Sequence, residues 1–247
     1  MPALEINMIV LMTDFGLAGP YIGQMQSVLL QQAPRVPIVS LFANAPKHNP
    51  RAAAYLLAAY VHDFPEDTIF LCVVDPNVGS VGQRPIVIRV DNRWFVGPEN
   101  GLFAIVVRRG RDPQCWGIDW RPKHLSSSFH GRDLYAPVAA CIATGEPPPG
   151  KRLSCEQRDD WPDDLPEIIY IDHFGNVLTG LRASTLADDV TISVGERALT
   201  RAETFSDVPE GASFWYENAN GLVEIAVNQG RADETLRLKI GDEIALA

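Results

Sequence analysis

The chain has 247 residues, enough for one large domain or two smaller ones, and 46% of them are hydrophobic, which supports a full core. Its 31 acidic and 21 basic residues leave a formal net charge of −10. That balance argues against a nucleic-acid backbone as the main partner and tolerates a cationic ligand.

Residues 6–12 predict a buried strand. Its apolar run is too short to span a bilayer, Asp14 follows closely, and no basic region precedes it, so neither a membrane span nor a signal peptide is expected. A Gly-rich turn runs from Asp14 to Pro20, and a helix is predicted over 21–33, ended before Pro34. Then come a strand over 36–42, an Ala- and Leu-rich helix over 51–62 and a strand over 68–74 that ends at Asp75. A hairpin is expected over 85–90 and 93–96, and a helix over 101–109. The alternation predicts a Rossmann-like α/β domain with a largely parallel sheet over 1–150. Ligands of such sheets sit beyond the carboxyl ends of the strands, so Asp14 and Asp75 are expected to face one crevice.

Phe129-His130-Gly131-Arg132-Asp133 is the densest chemistry in the chain, and it leads into an apolar helix from Leu134 to Ala140. A helix mouth of this kind favours bound polar or anionic groups, and a histidine there suits proton or water chemistry. The proline-rich, acidic stretch from Pro147 to Pro166 reads as a linker, assigned to 151–166. Short alternating segments beyond it, among them 168–171, 190–194, 213–216, 222–227 and 235–239, predict a small all-β, barrel-like domain over 167–247.

Each motif has a functional and a bland reading. Asp14 can accept two hydrogen bonds from a vicinal diol, or can cap the next helix. Asp75 can be an acid exposed in a cleft, or the head of an Asx turn. His130 can be a general base or water-orienting group, or can bond to structure; Arg132 and Asp133 can be an ion pair that fixes the turn. Asp172 and Asn176 flank a glycine turn and can present an acceptor and a donor to one ligand, or can be hairpin chemistry; Tyr216 to Gln229 reads as a hairpin with an Asn-Gly turn. No metal-ligand spacing, nucleophile elbow, Walker loop or Gly-x-Gly-x-x-Gly is present. The four cysteines, Cys72, Cys115, Cys141 and Cys155, form no Cys-x-x-Cys pair, so disulfides and structural zinc are not expected and a cytoplasmic location fits.

Taken together, the motifs carry a resemblance over nearly the whole chain. Thr13-Asp14-Phe15-Gly16 with Tyr21-Ile22-Gly23, Val74-Asp75-Pro76 with Val78-Gly79-Ser80, Pro98 to Leu102, Phe129 to Asp133, Asp172 to Thr179 and Glu224 to Gly230 stand in one order. In that order the chain resembles the S-adenosyl-L-methionine hydroxide adenosyltransferases, relatives of the fluorinases and chlorinases. The resemblance implies hydrolysis of S-adenosyl-L-methionine at C5′ to adenosine and L-methionine, with no metal or redox cofactor. It also implies a homotrimer with sites at subunit interfaces, and no nucleic-acid or membrane partner. It implies Asp75, His130 and Arg84 as catalytic residues, with Asp14 on the ribose hydroxyls. Asp172 would face the methionine ammonium and Asn176 the adenosine. Tyr216 and Asn218 complete the substrate-binding set, and backbone from Val227 to Gln229 would read the adenine edge.

The chain departs from the family pattern in three places. Asn77 stands for a glycine, and the stretch from Ser80 to Arg84 has one extra residue and one arginine instead of two, so the family arginine aligns with Gln83 or Arg84. Ala219 stands for a serine, and Gly19-Pro20 replace an acidic residue. Halide-using relatives carry a serine where this chain has Gly131. The alternatives to the hydrolase are such a halide-using enzyme and a non-catalytic protein that binds adenosine or S-adenosylmethionine.

Overall fold

The computed structural model describes residues 8–80, 82–195 and 197–247. Residues 6 and 7 of the first expected strand, and Val81 in the loop after Asp75, lie outside the described residues. The chain forms two compact units. The first runs up to Ala54 and resumes over His62–Arg158; the second combines Tyr55–Val61 with Asp159–Ala247.

The first unit is built on a mixed seven-stranded sheet. Its elements in chain order are β1 (Met8–Thr13), α1 (Tyr21–Gln32), β2 (Ile38–Phe42), α2 (Pro50–Tyr60), β3 (Thr68–Val73), β4 (Pro85–Val90), β5 (Arg93–Pro98), α3 (Ala104–Arg109), β6 (Gln114–Ile118), α4 (Ala136–Ala143) and β7 (Gly150–Leu153). The strand order is β2-β1-β3-β5-β4-β6-β7. The first four strands are mutually parallel, whereas β4, β6 and β7 each join antiparallel, so five of the seven point the same way. β1 and β3 are apolar, partly β-branched runs, buried on both faces as a central parallel strand requires. On one face α1 and α4 close the core, with Met25, Leu29, Val138 and Ala139 against Ile9, Leu11, Leu71 and Val96. β4 and β5 meet at Asp91-Asn92, whose φ values of 46° and 57° suit a two-residue turn matched to strand twist.

The second unit adds β8 (Leu165–Ile171), β9 (Val177–Arg182), β10 (Ile192–Val194), β11 (Arg197–Leu199), β12 (Ser213–Glu217), β13 (Leu222–Val227), α5 (Ala232–Leu236) and β14 (Ala245–Leu246). They form two antiparallel sheets, β12-β13-β9-β8 and β11-β10-β14. Bridges Arg201–Trp215 and Glu167–Glu243 link the sheet margins into a barrel-like ring around buried Trp215, Val223 and Ile225.

Three readings of the sequence differ from this structure. The stretch assigned as a linker, 151–166, contributes Lys151–Leu153 to edge strand β7 and Leu165–Pro166 to β8. The strand expected over 235–239 is the end of α5 and a left-handed exit at Arg237, because Asp233 and Glu234 suit a helix's first turn. The end of α2 belongs to the second unit, where the Tyr55 hydroxyl donates to the Pro162 carbonyl and its ring stacks on Trp161. No helix among the described residues is long and apolar enough to cross a membrane.

Candidate active site

In the first unit the site lies at the carboxyl ends of β1 and β3. Asp14 follows β1 directly, and its side chain is nearly buried. Its Oδ2 accepts the backbone N–H of His48 at 3.0 Å, and the His48 Nδ1 lies 3.8 Å away. Asp14 caps no helix: α1 begins after Pro20, with no side-chain cap. A carboxylate held by one backbone donor keeps acceptor capacity for a ligand.

Asp75 lies beyond β3 in the same neighbourhood, near enough to Asp14 for the two negative charges to interact. Its Oδ1 accepts the Gln83 amide at 2.8 Å and the Asn77 N–H at 3.3 Å. Burial, the largest influence, pushes the Asp75 carboxyl up, and Asp14 adds to that. The Gln83 and Asn77 hydrogen bonds and the nearby His130 pull the other way. Asp75, Gln83, Arg121, His130 and Tyr135 line a recess of about 50 Å³. Gly79 shapes the loop over it: at φ 78°, it lies so close to Ser127 that a Cβ would come within 2.4 Å of the Ser127 carbonyl oxygen.

His130 sits where the chain enters one turn of π-helix, Gly131–Tyr135, that continues into α4. Here the helix mouth expected at this cluster is a wound turn. Its i→i+5 geometry brings positions five apart toward one face, and the His130 and Tyr135 rings, 6.4 Å apart, both line the recess. Arg132 and Asp133 make a two-pronged ion pair at 2.6 and 3.0 Å, Arg132 also donates to Gln24, and Asp133 accepts the Ser126 N–H. The Arg132 guanidinium holds the Asp133 carboxyl below the usual range. These two residues fix the turn. Gly131 is buried, and a Cβ there would meet the Met25 sulfur at 3.1 Å and the Phe129 ring at 3.2 Å, inside the Phe15–Tyr21–Phe129 aromatic cluster. Gly131→Ser should therefore lower stability by about 1 kcal/mol; urea unfolding of the variant checks this, and an unchanged midpoint would contradict the packing.

Arg84 is not brought to the recess. Its guanidinium is mostly exposed and makes a fork with Glu99 at 2.6 and 3.0 Å. Gln83 occupies the place beside Asp75. The structural reason is local: Glu99 follows β5, and its N–H donates to the Arg84 carbonyl, so the two side chains meet across the hairpin.

The second unit gathers its own polar cluster. Asp172 directly follows β8; its Oδ1 accepts the Asn176 N–H at 2.8 Å and its Oδ2 the Asn176 amide at 3.2 Å, which locks the turn. Sequence reasoning assigned no role to Glu224 on β13. It is buried, and accepts the Tyr216 hydroxyl and, at 2.9 Å, the Asn218 amide. The Asn218 side-chain Oδ1 accepts the N–H groups of Asn220 and Leu222 at 3.0 Å each. A charged residue in the middle of an apolar strand, Leu222–Val227, is the signal that would have flagged Glu224. Burial above all, with the Asp172 charge in addition, pushes the Glu224 carboxyl up. Val227 closes β13; its carbonyl accepts the Gly230 N–H, and Gln229 takes a left-handed φ of 54°, with no backbone partner among the described residues. That turn leaves main-chain groups available to a ligand edge.

A carboxyl raised in the folded state contributes stability that is present below its unfolded value and lost as pH rises through the folded one. Glu224→Gln should flatten the stability–pH curve from about pH 4.3 upward. Urea unfolding across pH 4 to 8 checks this, and a variant curve parallel to the wild type would contradict it.

The chain matches the family models for the SAM hydroxide adenosyltransferase N-terminal domain over residues 9–151 and C-terminal domain over residues 166–245. It is 36% identical to the (R)-S-adenosyl-L-methionine hydrolase of Thermus thermophilus, covering 95% of this chain and 97% of that one. It is 33% identical to the enzyme of the same name from Salinispora arenicola, with 94% of each covered. A crystal structure of an uncharacterized conserved protein from Thermotoga maritima superposes with a TM-score of 0.87 at 32% identity, over 97% of this chain and all of that one. With matches across both units, the chain belongs to the SAM hydroxide adenosyltransferase family.

Proposed function

We propose that this protein hydrolyses S-adenosyl-L-methionine at C5′ to adenosine and L-methionine. The observation that carries the reading is the half-buried Asp75, its carboxyl raised, beside His130 in a polar recess at the strand ends. The sulfonium departs as a neutral thioether, so the leaving group needs no acid. As the water oxygen bonds to C5′, the C5′–S electron pair leaves with sulfur and a proton leaves the water toward Asp75, with His130 beside it. The protein's task is an oriented water and a dry pocket; the reaction calls for no metal or redox cofactor. Asp14 suits a ribose diol. Asp172 and buried Glu224 suit the ammonium or sulfonium charge, and the Val227–Gln229 turn an adenine edge. A homotrimer, in which Asp14, Asp75 and His130 of one subunit meet Asp172, Asn176, Tyr216, Asn218 and Glu224 of the next, is part of this reading. So is a cytoplasmic location, which four free cysteines suit.

The test is incubation of the purified chain with S-adenosyl-L-methionine, with and without fluoride or chloride, and chromatography of the products. Adenosine in both conditions is expected. A 5′-halogenated nucleoside would favour the halide-using alternative, which Gly131 and its crowded surroundings disfavour. Ligand binding without any product would favour the non-catalytic one.

A further inference from the structure

The recess beside Asp75 holds more hydrogen-bonding capacity than the protein satisfies. Gln83 donates its amide to Asp75 at 2.8 Å, the orientation a carboxylate acceptor demands. Its carbonyl oxygen, Oε1, is left buried with no partner. Tyr135 is 2% exposed and lines the same recess. A buried polar atom without a partner is costly, and such an atom beside a roomy polar void is where structural water resides. The volume, about 50 Å³, accommodates one or two waters at roughly 30 Å³ each.

Resting on the hydrolase reading, we propose that the recess is a built water site and that Gln83 and Tyr135 position the reacting water. A water has two hydrogens and two lone pairs. Asp75 and Gln83 Oε1 are acceptors and take the two hydrogens. The Tyr135 hydroxyl is a donor and takes one lone pair, which leaves the other for carbon. Burial keeps the phenol protonated and hence a donor, while Arg121, anchored by its Nη1 on the carbonyls of Ile118 and Trp120, adds positive charge nearby. Gln83 has a second effect: by donating to Asp75 it sets which carboxylate edge faces the water. The chain therefore holds its water with an amide and a phenol at the place where Arg84 has turned away to Glu99.

Two experiments test this. Tyr135→Phe keeps the ring and removes only the donor, so kcat should fall about tenfold or more while KM changes by less than about twofold. Gln83→Leu should act in the same direction. Unchanged kcat in Tyr135→Phe would overturn the proposal, because a tyrosine that only packs tolerates phenylalanine. A crystal structure of the unliganded wild type at about 1.5 Å or better should show a water within hydrogen-bond distance of Gln83 Oε1, Asp75 and the Tyr135 hydroxyl. The water should be lost or displaced in Tyr135→Phe, and an empty wild-type recess would overturn the proposal whatever the activity. If the water is present and the wild type forms no adenosine, the hydrolase reading fails and the water site stands on the crystal structures alone.

Discussion

Asp75→Asn should lower kcat by about 10²–10⁴-fold, the range removed when a positioned acid–base group is lost. Asparagine keeps the shape and can still offer its carbonyl to the Gln83 amide, so the fold and ligand affinity should change little. What is lost is the anion that accepts a water hydrogen and favours the developing proton. The acid limb of the kcat–pH profile follows from the same group. Burial pushes the Asp75 carboxyl up, with Asp14 adding to it, and the base works only when ionised. Activity should therefore decline as pH falls through a value above the ordinary aspartate range of about 3.9. A limb at or below that value, or an Asp75→Asn variant with wild-type kcat, would contradict the assignment.

His130→Ala should cost on the order of 10²-fold in kcat, with S-adenosyl-L-methionine still bound. His130 shares the recess with Asp75, and its influence on Asp75 is a proximity no structural role requires. Truncation also removes a ring beside Tyr135, so a stability control is needed. Calorimetric binding together with single-turnover product formation separates the two effects. Unchanged single-turnover rate with retained binding would remove His130 from the chemistry; loss of binding together with a fallen unfolding midpoint would make it a packing residue.

Much of this architecture was legible in the sequence. The buried parallel strands announced themselves through unbroken apolar runs, and the acids that follow β1 and β3 marked the crevice, because a polar residue directly after such a run has to leave the sheet at its carboxyl end. The antiparallel margin was less legible: β6 and β7 are short, and Gly150–Leu153 follows three prolines, so local composition reads as linker while pairing with β6 makes it a strand. α5 was misread for a related reason, since five residues with one buried side chain give too little periodicity to separate helix from strand.

The site divides in the same way. Asp14, Asp75, His130, Asp172 and Asn176 were singled out because turn-adjacent polar residues stand out locally. Arg84 was placed by alignment alone, and no local signal revealed that Glu99, fifteen residues on, would claim it. Gln83 was noticed only as an alignment alternative to Arg84, and Tyr135 and Glu224 escaped, because their meaning depends on what folds beside them: an amide and a phenol around a void, and a carboxyl buried within a strand.

The most direct test of the account is the fate of the solvent oxygen. When the purified chain turns over S-adenosyl-L-methionine in ¹⁸O-labelled water, mass spectrometry should find one ¹⁸O in adenosine and none in the accompanying L-methionine beyond ordinary carboxyl exchange. Failure to form adenosine, or adenosine whose 5′ oxygen does not come from the solvent, would contradict water attack at C5′.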